Sequence, residues 1–113
     1  MSYTIYHNPR CQKSRQTLEL LQKNNIEPKV VEYLKTPFTE KELKAILGKL
    51  KLKPSELVRS KEEKFKELKI DLSNQDKVFQ AMVKHPELIE RPIVVAGEKA
   101  ILGRPPENVQ KLF

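Results

Sequence analysis

The residues with the most chemical potential lie together near the start of the chain, in the run His7-Asn8-Pro9-Arg10-Cys11-Gln12-Lys13-Ser14-Arg15. Cys11 is the only cysteine among 113 residues. A thiol reacts as its thiolate, and a free cysteine of pKa ~8.5 is only ~3% ionised near pH 7. Lowering that pKa by about two units, for roughly 2.7 kcal/mol, makes the thiolate the major form. Cys11 sits where a short aromatic and β-branched run, Tyr3-Thr4-Ile5-Tyr6, gives way to a helical pattern from Lys13. At that point the first-turn N–H groups are unpaired and the helix dipole is positive, and both favour a thiolate. Arg10, Lys13, Arg15 and a protonated His7 would add to the effect. The same N–H groups could cradle a tetrahedral oxyanion in front of the sulfur.

Each of these residues also has a plainer reading. Cysteine is often simply buried, but the polar, cationic and turn-forming neighbours of Cys11 favour a reactive thiol. His7 could lower the cysteine pKa, orient the loop by hydrogen bonding, or merely satisfy backbone groups at a strand end. Ser14 could reach the thiolate from one helical turn away or bind local backbone donors. His85, before Pro86 at a helix end, is assigned a structural place.

Positioning such a loop requires a strand before it and a helix after it. Tyr3–Tyr6 reads as the first strand, and the helix runs from Lys13 to about Asn25 with Thr17, Leu18 and Leu21 on one face. Lys29–Leu34 is a second strand. Thr39 and Glu42 form a capping box before Leu43, Ile46, Leu47 and Leu50, which recur at helical spacing. Pro54-Ser55-Glu56 starts a short helix. Ser60 with Glu63 reads as a second capping box ahead of Phe65 and Leu68. Ser73–Asp76 opens another helix with Val78, Phe79, Met82 and Val83 inward, stopped by Pro86. Ile93–Ala96 and Lys99–Leu102 flank Gly97-Glu98 as a β-hairpin, and a final helix starts at the Pro105-Pro106 pair. The order is β-α-β, a helical insert at about 39–86, then β-β-α. The fold class is therefore α/β, a small mixed sheet with helices on both faces, in one domain over residues 1–113.

Composition narrows the function classes. One cysteine excludes an intramolecular disulfide and a zinc site built from several thiolates, and it fits a reducing compartment. The first six residues lack the basic and apolar regions of a signal peptide. No stretch approaches the ~18 apolar residues of a membrane span, so the expectation is a soluble, cytoplasmic protein. The net charge is +7, and residues 35–69 carry +5 of it. Opposite charges at i,i+4 spacing, such as Glu62 with Lys66, mark that segment as a solvated helical surface rather than a nucleic-acid site, and no aromatic interleaving in it suggests base stacking.

The His7–Arg15 run resembles the H-N-P-x-C-x-x-S-R signature of the glutaredoxin-coupled arsenate reductases. The likeness extends through Leu57-Val58-Arg59, Glu90-Arg91-Pro92-Ile93-Val94 and Ile101-Leu102-Gly103-Arg104-Pro105, and so over the whole length, as in a short member of that family. The resemblance implies a thioredoxin-like (glutaredoxin-like) fold with a helical insertion, and Cys11 as the nucleophile with His7 and Ser14 beside it. It also implies that Arg59, Arg91 and Arg104 surround the oxyanion, a task suited to guanidinium forks. Asn8, Arg15 and Pro92 then support the loop, Pro92 as a cis-proline. The implied substrate is arsenate, reduced to arsenite. The implied electron donors are glutathione as co-substrate and glutaredoxin as the partner that resolves a mixed disulfide, with no metal and no bound organic cofactor.

Two features depart from the pattern or leave it open. Gln12-Lys13 stands where many members have Gly-Thr, which bears on the choice of oxyanion. A related branch of the fold comprises redox-sensing regulators that bind RNA polymerase, and these use a C-x-x-C pair where this chain has Ser14. A glutathione-dependent thiol oxidoreductase without arsenate activity is the third reading.

Overall fold

A computed structural model describes residues 2–113; Met1, with which both the domain reading and the leader reading begin, lies outside the described residues. The chain divides into two compact units, one comprising the chain up to Thr36 together with Arg91–Phe113 and the other Pro37–Glu90.

The first unit holds the sheet. Strands β1 (Tyr3–His7), β2 (Lys29–Glu32), β3 (Ile93–Ala96) and β4 (Lys99–Leu102) lie in the order β2-β1-β3-β4. β1 and β2 are parallel, joined through helix α1 (Gln12–Lys23), whereas β3 pairs antiparallel with both β1 and β4. Parallel neighbours need a long crossover and antiparallel ones only a tight turn, and the connection lengths satisfy both demands. Gly97 makes the β3–β4 turn at φ 62°, a left-handed conformation that suits glycine.

Side-chain periodicity explains the core of this unit. Ile5 on β1 stands opposite Val94 on β3, and Val94 opposite Ile101 on β4, so one face of the sheet is apolar across three strands. Ile5 and Val94 are fully buried with Leu21 of α1 and Val109 of the C-terminal segment. Along α1 the buried positions are Ser14, Thr17 and Leu21, one helical stripe with polar residues at its N-terminal end. Because strand side chains alternate, His7 points to the same face as Ile5, toward those polar positions. The sheet thus delivers a histidine and the helix a serine to one place.

The second unit is helical: α2 (Glu40–Leu50), α3 (Pro54–Leu57), α4 (Glu63–Leu68), α5 (Gln75–Lys84) and a 3₁₀ turn, Pro86–Leu88. The capping box at the start of α2 forms as expected: the Thr39 hydroxyl accepts from the Glu42 N–H at 3.1 Å, and the Glu42 carboxylate accepts from the Thr39 N–H at 2.9 Å. Its buried apolar residues include Leu43, Ile46, Leu47, Leu57, Phe65, Val78, Ala81, Met82, Leu88 and Ile89. Ser55 and Gln75 tie α3 to α5 by two reciprocal hydrogen bonds of 2.9 and 3.1 Å. No helix among the described residues is long and apolar enough to cross a membrane.

Several expected boundaries move. Ser60 does not cap α4; Glu62 does, because its N–H is already turned back onto the Arg59 carbonyl and its carboxylate pairs with the Arg59 guanidinium. β2 ends at Glu32 rather than Leu34, as Lys35 and Thr36 both donate to the Glu32 carbonyl and close a turn there. Phe79 and Val83 of α5 are only half-buried, while Ala81 lies inside. The final helix is a 3₁₀ helix, Pro106–Leu112. Its start is fixed by Asn108, whose side-chain amide donates to the Leu102 and Arg104 carbonyls and anchors the segment to the end of β4.

Of the glycines, Gly103 is the one closely packed by its neighbours. A Cβ there would lie 2.6 Å from Thr17 Oγ1 and 2.9 Å from Pro92 Cγ. Its N–H donates to the Pro92 carbonyl at 2.9 Å, and Thr17 Oγ1 is itself held by donation to the Lys13 carbonyl at 2.8 Å. The neighbours cannot yield freely, so Gly103→Ala is expected to destabilise the fold by about 1–3 kcal/mol. A lower urea midpoint at unchanged m-value checks this; a midpoint equal to wild type would contradict the packing described.

Candidate functional site

The Cys11 loop is built from short-range polar contacts. The Asn8 side chain accepts from the Arg10 N–H at 3.0 Å, and the Cys11 N–H donates to the Asn8 carbonyl at 3.0 Å, closing a turn over Pro9. Asparagine and proline favour such turns for separate reasons, one by side-chain mimicry of the backbone and the other by a fixed φ. Cys11 is the N-cap of α1 in an extended conformation, and its carbonyl accepts the helical bond from the Arg15 N–H at 3.0 Å. Arg15 reaches back with a 2.8 Å bond from Nη1 to the Pro9 carbonyl, so the loop is clamped from the helix side.

The thiol is only partly buried. Burial is the largest single influence on its ionisation and opposes it. It is outweighed by the backbone N–H of Ser14, the positive charge of Arg91, the N–H of Lys13 and a hydrogen bond from the Arg91 side chain. Cys11 is therefore held below the ordinary cysteine range, as a thiol at a helix N-terminus beside a guanidinium should be.

For His7 and Ser14 the structure selects one of the readings left open by sequence, loop orientation by hydrogen bonding for His7 and a local backbone donor for Ser14. The Ser14 hydroxyl lies 2.7 Å from His7 Nδ1 and accepts from the Asn8 N–H at 3.1 Å. The Ser14 side chain thus braces the loop, while its backbone N–H serves the sulfur. Burial pushes the His7 pKa down; Glu32 opposes the shift and Arg15 adds to it. The shift favours the neutral imidazole, and the contact His7 makes in the loop is the hydrogen bond to Ser14.

The arginines fall into two groups. Arg91 and Arg104 both belong to the sheet unit and brace each other, with Arg104 Nη1 donating to the Arg91 carbonyl at 3.3 Å. Both precede prolines through cis peptide bonds, Arg91–Pro92 and Arg104–Pro105. Pro92 matches the expectation from the resemblance, whereas the cis bond at Pro105 carries no local signal that sets it apart from a trans one. Arg59 belongs to the helical unit, where it pairs with Glu62 and, at 3.1 Å, with Glu90, while its N–H donates to the Leu88 carbonyl. Glu90 was not singled out from the sequence, although its place beside Arg91 kept it in view. Thr17 and Gly103 were also missed as contributors to the site; an inward threonine followed by a distant glycine gives no pairwise clue.

The ArsC family profile matches residues 6–112, all but the extreme ends. The chain belongs to the ArsC family. Among its relatives, the uncharacterized protein YfgD of Escherichia coli K12 is 50% identical over 111 residues, covering 96% of this chain and 93% of the relative. The protein of Haemophilus influenzae named arsenate reductase is 44% identical over 116 residues, with both chains fully covered. The solved structure named arsenate reductase from Vibrio cholerae is 47% identical and superposes with a TM-score of 0.93, covering 100% of this chain and 98% of that one. The sheet order and the helical insertion of this ArsC-family chain are accordingly those of a thioredoxin-like fold.

Proposed function

We propose that this ArsC-family chain is an arsenate reductase in which the Cys11 thiolate attacks arsenic(V), glutathione supplies the second thiol, and glutaredoxin regenerates the free cysteine. The observation that carries the reading is the environment of Cys11: two backbone N–H groups and Arg91 converge on the sulfur and lower its pKa. A group of donors that favours an anionic sulfur also favours an anionic oxygen brought up to it. The names of relatives that align over the full chain support arsenate as that anion.

The chemistry balances with one protein thiol. The Cys11 sulfur forms a bond to arsenic as one As–O bond breaks and the oxygen leaves as water. The external thiolate then attacks the Cys11 sulfur, an S–S bond forms, and the S–As electron pair stays on arsenic, which becomes arsenic(III). The two thiols have lost two electrons and arsenic has gained them. Having no second cysteine, the chain cannot close this cycle by itself, so a mixed disulfide awaits reduction by an outside dithiol. Arg91 and Arg104, braced together, would hold the oxyanion through the reaction, and the loop of Asn8, Ser14 and Arg15 would keep the sulfur in line.

Steady-state arsenite production with arsenate, glutathione and glutaredoxin tests the reading, with turnover expected only when all three are present. Absence of turnover, together with comigration with RNA polymerase in cell extract, would overturn it in favour of a regulator.

A further inference from the structure

A groove of about 550 Å³ runs along the solvent side of α1 from the Cys11 loop, within the range of pockets that take small organic ligands. Pro9 and Gln12, the residues on either side of the Arg10-Cys11 pair, line its near end; Arg15, Gln16 and Glu19 continue it along the helix. Arg15 and Glu19 are one helical turn apart, both exposed, and no ion pair joins them among the described residues. The spacing of i,i+4 neighbours, about 5–6 Å between Cβ atoms, sets a cation and an anion side by side facing one groove. A carboxylate and an ammonium on a single carbon, the head of an amino acid, present the complementary pair.

We propose that this groove binds the external thiol, which must then be a peptide thiol carrying a free amino-acid head. Its carboxylate meets Arg15, its ammonium meets Glu19, and the amide-bearing Gln12 and Gln16 face its peptide bonds while its sulfur is delivered to the Cys11 end. The inference rests on the proposed thiol-dependent reaction, but its test involves no arsenate. Cys11 is first converted to its mixed disulfide with thionitrobenzoate. An added thiolate attacks that disulfide, one S–S bond forms as one breaks, and coloured thionitrobenzoate leaves with the electron pair; there is no net oxidation.

Glutathione carries the amino-acid head and 2-mercaptoethanol has none. Glu19→Lys is decisive because two effects give opposite signs. Simple attraction of anionic glutathione by a more positive protein makes the variant faster. Pairing of the ammonium with Glu19 makes it slower, by about fivefold, as expected for turning one exposed ion pair into a repulsion. The expected result is slower release with glutathione, an unchanged rate with 2-mercaptoethanol, and a glutathione defect that fades as salt is raised. A faster or unchanged glutathione rate, or equal slowing with both thiols, would overturn the groove assignment. Either outcome is independent of arsenate turnover, so a failure of the proposed function and a failure of this inference are separately visible.

Discussion

Cys11→Ser is expected to reduce arsenite production to the background rate. Removing the nucleophile of a hydrolase often leaves residual catalysis from the remaining site, roughly 10³–10⁴ over water. Here the loss should be complete, because Cys11 supplies an electron as well as a bond. A serine oxygen that displaced water from arsenate would give an ester with no sulfur for the second thiol to attack. The substitution should not harm the fold. Cys11 is the N-cap of α1 without a side-chain capping bond, and serine is a better N-cap than most residues. The variant should therefore keep the wild-type unfolding free energy to within about 1 kcal/mol, the gain in capping offsetting the loss of the stabilised thiolate. Inactivity with a urea midpoint lowered beyond that margin would point instead to a damaged fold; retained turnover would remove Cys11 from the mechanism.

Arg91→Ala has two separable effects. As an oxyanion ligand, Arg91 is expected to contribute about 10²–10³ to kcat/KM for arsenate, the range seen when one donor to a developing negative charge is deleted. As a neighbour of the sulfur, it lowers the Cys11 pKa by its charge and its hydrogen bond, so its removal raises that pKa. Alkylation of Cys11 by iodoacetamide should then need a higher pH, and at pH 7 it should slow. The linked stability follows in sign. A thiol with a depressed folded pKa stabilises the fold fully above its unfolded pKa of about 8.5, and that contribution is lost as pH falls through the folded value. Arg91→Ala narrows the window between the two. Arg91→Lys keeps the charge but not the planar fork, so it should restore much of the alkylation profile while leaving arsenate binding weak. An alkylation profile in Arg91→Ala identical to that of wild type would contradict the placement of this guanidinium.

What the sequence disclosed depended on how local the cause was. The Cys11 loop was readable because a strand pattern, Asn-Pro and a helix start are contiguous, and the backbone follows from those few residues. The role of His7 was not, since it depends on which face of β1 meets α1 and on the burial that results. Ser14 was legible as a polar residue that either reaches the sulfur or binds local backbone donors, but neither which of the two nor the donor itself, the Asn8 N–H, could be read. The charge changed most. Residues 35–69 carry +5, yet the helical unit as folded also includes Asp71, Asp76, Glu87 and Glu90, giving it twelve Lys/Arg against ten Asp/Glu. The sheet unit has ten against five. Most of the net positive charge thus belongs to the unit that holds Cys11, where it favours anions, and a window drawn along the sequence had cut across both units.

The most direct test is a single turnover without glutaredoxin. Reduced protein is mixed with arsenate and one equivalent of glutathione, and arsenite and the peptide containing Cys11 are measured together. The expected result is about one arsenite per chain, matched by a glutathionyl group on Cys11 that glutaredoxin then removes. Arsenite formed while Cys11 remains a free thiol, or a glutathionyl adduct formed at the same rate with no arsenate present, would contradict a mechanism that runs through this cysteine.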